Sequence, residues 1–325
     1  MVVAGEACGG VGFPISERPS KSTAIAADPM SLWKHYYLAH SVEDALQALA
    51  AGAGMGRVIA GGTDLLLDLQ QGRQANLDTL VDVNQIPEMT SVALDGDWLS
   101  IGAAAPLSRL VSNELIQYHA EALIEACGLI GGPQVRNTAT LGGNVAHALP
   151  AGDGSIALLA LGAKAEVASL EGRSERPLAE LYIGPGKSAL QVRGQIVVRF
   201  LVPVRRPGQA SAFKRVMRPQ GVALPVLNMG VWLERGRQGE TEVIGDIRIA
   251  IGPAGPVPYR ANATEATLRG QVFKEDVLEE AKAILRNEAR FRTSPQRATA
   301  EYRRHLAGVL LEQTLEVAWE RAGVE

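Results

Sequence analysis

Apolar positions recur with a helical period over residues 41–51, where Val42, Ala45, Leu46 and Leu49 fall on one face. Ser41, followed three residues later by Asp44, supplies an N-cap with capping-box spacing. Residues 57–60 predict a short buried strand running into AGGTDLL, LLLDLQQGR a helix ended by Gly72, and residues 79–83 a second buried strand. Strand, helix, strand in that order implies a small parallel α/β unit. Beyond Pro87 the pattern changes to strands at 91–94 and 98–103 around an Asp95-Gly96-Asp97 turn, then helices at 108–111 and 114–127. A buried helix at 155–161 and strands at 163–169 and 195–202 complete an α+β second unit with a largely antiparallel sheet. Strands at 230–234 and 246–251, a turn rich in Pro and Gly at 252–258, and helices to the end make a third unit. Its last helix, 299–320, carries Tyr302, Leu306, Val309, Leu310 and Leu315 at helical spacing.

Two glycine pairs stand out within this pattern: Ala60-Gly61-Gly62-Thr63-Asp64-Leu65-Leu66 and Thr140-Leu141-Gly142-Gly143-Asn144. Each follows an apolar or strand-like run. Each therefore predicts bare main-chain N–H groups at the end of a strand, where an anion can approach without meeting a Cβ. Two tight turns are the plain alternative, but the stretch QVRNTATLGGNVAHALPAGD places many polar and turn-forming residues between core helices. Buried polar groups need partners, and a long two-headed anion such as a dinucleotide would supply them.

Other glycine motifs do not hold up. Gly52-Ala53-Gly54-Met55-Gly56 has Arg57 where a dinucleotide fingerprint needs its third glycine, and it precedes a strand, so it predicts a helix C-cap and loop. Gly184-Pro185-Gly186-Lys187-Ser188 ends like a phosphate-binding loop, but the motif's first glycine would fall on Leu181. It predicts a surface turn.

At 325 residues the chain is long enough for two or three units sharing a cleft. The formal charge of −3, without blocks of like charge, argues against nucleic acid or a membrane surface as partner. Cys8 and Cys127 are too few for a disulfide framework, a four-thiolate cluster or a C-x-x-C pair, and the five histidines show no metal-ligand spacing. No apolar run reaches the roughly 20 residues that cross a bilayer, and residues 1–29 lack a secretory h-region. A cytoplasmic chain with an N-terminal extension at 1–29 is expected.

AGGTDLL, RNTATLGGNVAHALPAGD, AFKRVMR, GPAGPVPYRA and AEYRRHLAGVLLEQTLEVA together resemble the FAD-binding, or medium, subunit of the molybdenum hydroxylases, the group of xanthine dehydrogenase and aerobic carbon monoxide dehydrogenase. The resemblance runs from about Trp33 to the C-terminus. It implies an α+β FAD-binding fold of two α/β subdomains, 30–86 and 87–208, and a C-terminal domain, 209–325, with a small antiparallel sheet and a helical bundle. Carried over, Ile59, Ala60, Gly61, Gly62, Thr63, Asp64, Leu65 and Leu66 would wrap the FAD pyrophosphate. Thr140, Leu141, Gly142, Gly143 and Asn144 would form a second clasp, and Asp153 would accept hydrogen bonds from ribose hydroxyls. Ile130 and Val197 would line the flavin, and Lys214 would lie near the isoalloxazine. The chain departs from the pattern at 219–224, where many relatives carry an acidic residue near Gly221 or Val222. That uncharged loop leaves the electron acceptor open.

The resemblance further implies a large partner subunit holding the molybdenum cofactor, a small partner with two [2Fe-2S] clusters, and a dimer of heterotrimers. Electrons would pass from the clusters to FAD on this chain and on to NAD, a quinone or oxygen, with no catalytic residue and no metal site here. Two alternatives are a stand-alone flavin oxidase or reductase, which would need acid/base groups above the ring, and an FAD-free assembly or scaffold protein.

Overall fold

The computed structural model describes residues 32–52, 54–190, 194–218 and 224–323. The expected extension at 1–29, with Cys8, and the uncharged segment at 219–223 lie outside the described residues.

The first unit consists of β1 (Trp33–Leu38), α1 (Val42–Ala51), β2 (Gly56–Ile59), α2 (Leu65–Gln70) and β3 (Leu77–Asp82). Its sheet is parallel throughout, in the order β1-β3-β2. Ser41 caps α1 by accepting from Asp44 N at 3.0 Å, whereas the Asp44 carboxylate takes the N–H of His40, one residue before the cap. The strand β1 was not anticipated. It is an edge strand with Lys34, His35 and Tyr36 all exposed, so it lacks the alternation that marks a half-buried strand.

The second unit runs through α3 (Pro87–Thr90), β4 (Val92–Asp95), β5 (Trp98–Gly102), α4 (Leu107–Val111), α5 (Glu114–His119), α6 (Glu121–Leu129), α7 (Pro133–Arg136), α8 (Leu141–Ala146) and α9 (Asp153–Ala160). It continues with β6 (Lys164–Ser169), β7 (Gly172–Pro177), the short hairpin β8 (Tyr182–Gly184) and β9 (Lys187–Ser188), and β10 (Ile196–Pro203). Its sheet is antiparallel, ordered β4-β5-β10-β6-β7. The single helix expected at 114–127 is two helices, because Ala120 leaves helical geometry at φ −146°, ψ 54°. The expected surface turn at 184–188 is the β8–β9 hairpin, with Gly186 at φ +67°.

The third unit has β11 (Gln209–Val216), β12 (Leu227–Gln238), β13 (Thr241–Gly252) and β14 (Tyr259–Arg260), antiparallel in that order, then α10 (Asn262–Leu268), α11 (Glu275–Glu288) and α12 (Ala300–Ala322). One face of this sheet, with Ala212, Met229, Val231 and Leu233, shares a core with Leu306, Leu310 and Leu315 of α12. The other face lies on α9, where Gly230 leaves room for Ile156, Ala157 and Ala160. Every residue of α9 is buried. A helix with so apolar a sequence all round, DGSIALLA, is suited to an interior position between layers.

A shared core and a charge network tie the parallel unit to the rest. The buried face of α1 joins the main core with Ile86, Leu99 and Phe200. Arg173 on β7 reaches Glu43 on α1 at 2.8 Å, Glu88 on α3 at 2.6 Å and Glu166 on β6 at 3.0 Å, and Arg199 completes the network on Glu166 at 2.8 Å. Replacing the shared cation by Arg173→Met is expected to lower stability by about 1–2 kcal/mol, since these partly exposed pairs are screened. The loss should shrink at high ionic strength. Arg173 holds the Glu43 carboxyl below its ordinary range. That contribution is therefore present at neutral pH and disappears as pH falls through the lowered value. Urea midpoints of parent and variant at low and high salt measure the effect; equal midpoints at low salt would mean that the network contributes nothing.

Candidate functional site

The first glycine loop connects the end of β2 to α2. Ile59 ends the strand, Gly62 turns the chain at φ +68°, and its carbonyl accepts from Leu66 N at 2.9 Å to start the helix. Position 62 needs glycine, because a Cβ there would adopt the left-handed region and meet Ile59 Cδ1 at 2.8 Å. Among the described residues, no hydrogen-bond acceptor is found for the main-chain N–H groups from Ala60 through Leu65. The cap residue Asp64 makes no side-chain hydrogen bond to them, and Thr63 and Asp64 are exposed. Asn84 steadies the loop from behind, donating from Nδ2 to Ala60 O at 3.0 Å. The result is a run of unused donors at a helix start, with a hydroxyl beside it.

The second glycine pair differs from its sequence reading. Gly142 and Gly143 do not end a strand; they form the first turn of α8, capped by Thr140. The threonine hydroxyl accepts from Gly143 N at 3.1 Å, and Ala103 O accepts from Gly142 N at 2.8 Å. Leu141 is buried in the main core. Here the glycine amides are satisfied within the protein, so the pair serves another purpose. A Cβ on Gly142 would lie 2.6 Å from Ala103 O, so glycine is needed for close packing. Gly143 is exposed, and only its own cap oxygen lies near its missing Cβ, at 3.2 Å. It offers an open backbone surface.

The two loops touch. An ideal Cβ on Gly61 would fall 2.2 Å from Thr138 O and 2.8 Å from Ala139 Cα, just ahead of the Thr140 cap. Two residues beyond α8, Ala148 sits at φ 54°, a conformation that costs a non-glycine residue about 1 kcal/mol. Val197 is buried in β10 beside a register shift, and the next carbonyl, Val198 O, accepts from Ala103 N, whose own carbonyl holds Gly142. Val197 thus joins the second loop through the main chain. Ile130 ends α6 and is half-buried on the main core, its carbonyl accepting from Arg136 Nη1 at 3.3 Å.

Asp153 opens α9 and is buried. Its oxygens already have partners: Arg215 Nη1 at 2.5 Å and Asn228 Nδ2 at 2.6 Å. Burial pushes the carboxyl above its ordinary range, and Arg215 and Asn228 pull it only part of the way back. Lys214 lies in β11. It pairs in register with Met229, so strand alternation places it on the sheet face shared with the α12 core. Its neighbour Arg215 takes the opposite face with Asn228, towards Asp153. Neither Arg215 nor Asn228 was anticipated. The available signal was the alternation of β11 itself, which had not been recognised as a strand.

Chemically, the assembly can bind an extended anion: free amides on one side, an open glycine backbone on the other and a buried carboxylate near the second loop. Among the described residues, no group of His, Cys, Asp and Glu could hold a metal ion, and no helix is long and apolar enough to cross a membrane.

Comparison with known proteins shows the family. Residues 29–205 match the family model for the FAD binding domain in molybdopterin dehydrogenase, and residues 211–318 match the carbon monoxide dehydrogenase flavoprotein C-terminal domain. The chain is 30% identical over 295 residues to the xanthine dehydrogenase FAD-binding subunit of Escherichia coli O157:H7, covering 89% of this chain and 97% of that one. It is 28% identical over 288 residues to the carbon monoxide dehydrogenase medium chain of Hydrogenophaga pseudoflava, covering 88% and 97%. A solved carbon monoxide dehydrogenase from that organism superposes with a TM-score of 0.81 at 27% identity, covering 88% of this chain and 97% of its own. The chain belongs to the family of FAD-binding medium subunits found in oxidoreductases of the xanthine and carbon monoxide dehydrogenase type.

Proposed function

We propose that this chain is the electron-exit subunit of a molybdenum hydroxylase complex. Residues Ile59 to Leu66 hold the FAD pyrophosphate on their main-chain amides, Thr140 to Asn144 close over the cofactor from the second loop, and Asp153 receives the sugar hydroxyls. The observation that carries this reading is the run of amides from Ala60 to Leu65 without acceptors among the described residues, set against Thr138 and Ala139 just ahead of the second loop by the Gly61 contact. Two phosphate charges need several donors, and main-chain donors supply them without adding side-chain charge.

FAD, when bound, takes up electrons one at a time and releases them singly or in pairs. The protein's own task is to bind, orient and shield. Thr63 and the amides fix the anionic linker, Gly143 leaves space for it, and Val197 and Ile130 offer apolar surface at the second loop. A small partner subunit with [2Fe-2S] clusters delivers the electrons, and a large subunit with the molybdenum cofactor oxidises the substrate. The acceptor is NAD, a quinone or oxygen, and two such heterotrimers pair about a twofold axis. Support for the partners comes from relatives that are themselves medium chains.

Two glycines separate binding from folding. Gly143→Val sets a Cβ 3.2 Å from the Thr140 cap oxygen, which must give slightly, and is expected to cost no more than about 1 kcal/mol of stability, because valine is no worse than glycine in a helix and at most the cap is weakened. It should weaken FAD binding about tenfold or more. Gly61→Ala forces the loops apart and is expected to lose about 1–3 kcal/mol of stability together with FAD. Thermal denaturation and flavin titration of the purified variants distinguish these outcomes. Parent-like FAD affinity in Gly143→Val would remove the second loop from the site, and a purified parent that binds no added FAD would overturn the proposal.

A further inference from the structure

A buried ion pair crosses the seam between α9 and the C-terminal sheet. Arg215 Nη1 and Asp153 Oδ2 are 2.5 Å apart, and both side chains are 5% exposed. Asn228, opposite Arg215 in the β11–β12 register, donates from Nδ2 to Asp153 Oδ1 at 2.6 Å and to Ala151 O at 3.1 Å. The seam is tight here, since a Cβ on Gly252, which pairs with Asn228, would fall 2.2 Å from Pro150 O. Two residues beyond Asp153, Ser155 N donates to Asn144 Oδ1 of the second glycine loop at 3.3 Å. A continuous path therefore runs from the C-terminal sheet through Asp153 and the first turn of α9 to the loop.

An ionised carboxylate has about four acceptor sites, so the two bonds to Arg215 and Asn228 leave capacity for a ligand hydroxyl. Burial alone would drive such a group neutral, and a neutral carboxyl accepts hydrogen bonds less strongly. We propose that Arg215, assisted by Asn228, is a positioning residue for cofactor binding: it keeps Asp153 charged and fixed for the sugar hydroxyls of the nucleotide, so that flavin retention depends on the docked C-terminal sheet. This inference rests on the FAD reading above.

Among the described residues, the groups that hydrogen-bond or couple to Asp153 are Arg215, Asn228 and Cys127. Cys127 on α6 is pushed up to about 12 by burial and by the Asp153 charge. Asn228 on β12 and Asn144 on α8 are uncharged. A pH dependence created by removing Arg215 therefore reports on Asp153.

The test is FAD affinity of the full chain, measured by flavin fluorescence between about pH 6 and 9, for Arg215→Met, Arg215→Lys, Asp153→Asn and Arg215→Met/Asp153→Asn. Arg215→Met is expected to weaken binding about tenfold or more at neutral pH, with part of the loss recovered as pH rises and Asp153 ionises. Arg215→Lys should restore most of the affinity with a flat profile. Asp153→Asn should bind weakly at every pH, and adding Arg215→Met to it should cost little more. If Arg215→Met does not fold, Asn228→Ala decides, with a smaller loss in the same direction expected. Parent-like affinity in Arg215→Met, or in Asn228→Ala where that variant decides, overturns the inference alone, as does a pH-independent loss that adds in full to that of Asp153→Asn. A parent chain that binds no FAD overturns the reading beneath it as well.

Discussion

The site depends on a single close approach, the backbone of Gly61 lying on the backbone of Thr138 and Ala139. The two segments belong to different units, one following a parallel strand and the other leading into a helix of the antiparallel unit. No side chain could occupy the space between them. Once they are in contact, the remaining features follow in order. The carbonyls of Gly62 and Ala60 start α2 and receive Asn84, while among the described residues no acceptor is found for the amides of the first loop. The second loop is held from below by Ala103, which is itself fixed to β10. The anion site is thus a property of the junction between units.

The two glycine pairs look alike in sequence and work by different physics. In the first, the absence of a side chain permits a left-handed turn and leaves main-chain donors unpaired. In the second, the donors are consumed by Thr140 and Ala103, and glycine serves to bring α8 close to β5 and to keep one surface bare. A motif of two glycines and a short polar residue encodes flexibility of use, and only the neighbours decide which use is made. Those neighbours, Thr138 and Ala103, are far from the glycines they touch, so no local reading of the chain could have named them.

Much of the fold was legible where burial is one-sided. The α1 stripe, the parallel strands around the first loop, the antiparallel pairs of the second unit and the long C-terminal helix all carry the period of their element. Legibility fails where the pattern is polar on both faces or apolar on both. Strand β1 is exposed along its middle, β7 reads GRSERP with almost nothing buried, and the 114–127 segment looks continuous although Ala120 breaks it. The face that Lys214 takes was illegible for a related reason. Without recognition of β11 as a strand, Lys214 and Arg215 seem equally placed, whereas alternation sends them to opposite faces of the sheet.

The complete enclosure of α9 bears on how the chain is assembled during synthesis. Its outer covering is supplied by β12 and β13, which emerge from the ribosome well after it. Until they do, an apolar helix remains uncovered and the main core lacks Phe213 and Ala250. The division between the two matched family models, between residues 205 and 211, therefore separates segments that share one core. A truncation at that point would leave the nascent chain dependent on chaperones or prone to aggregate.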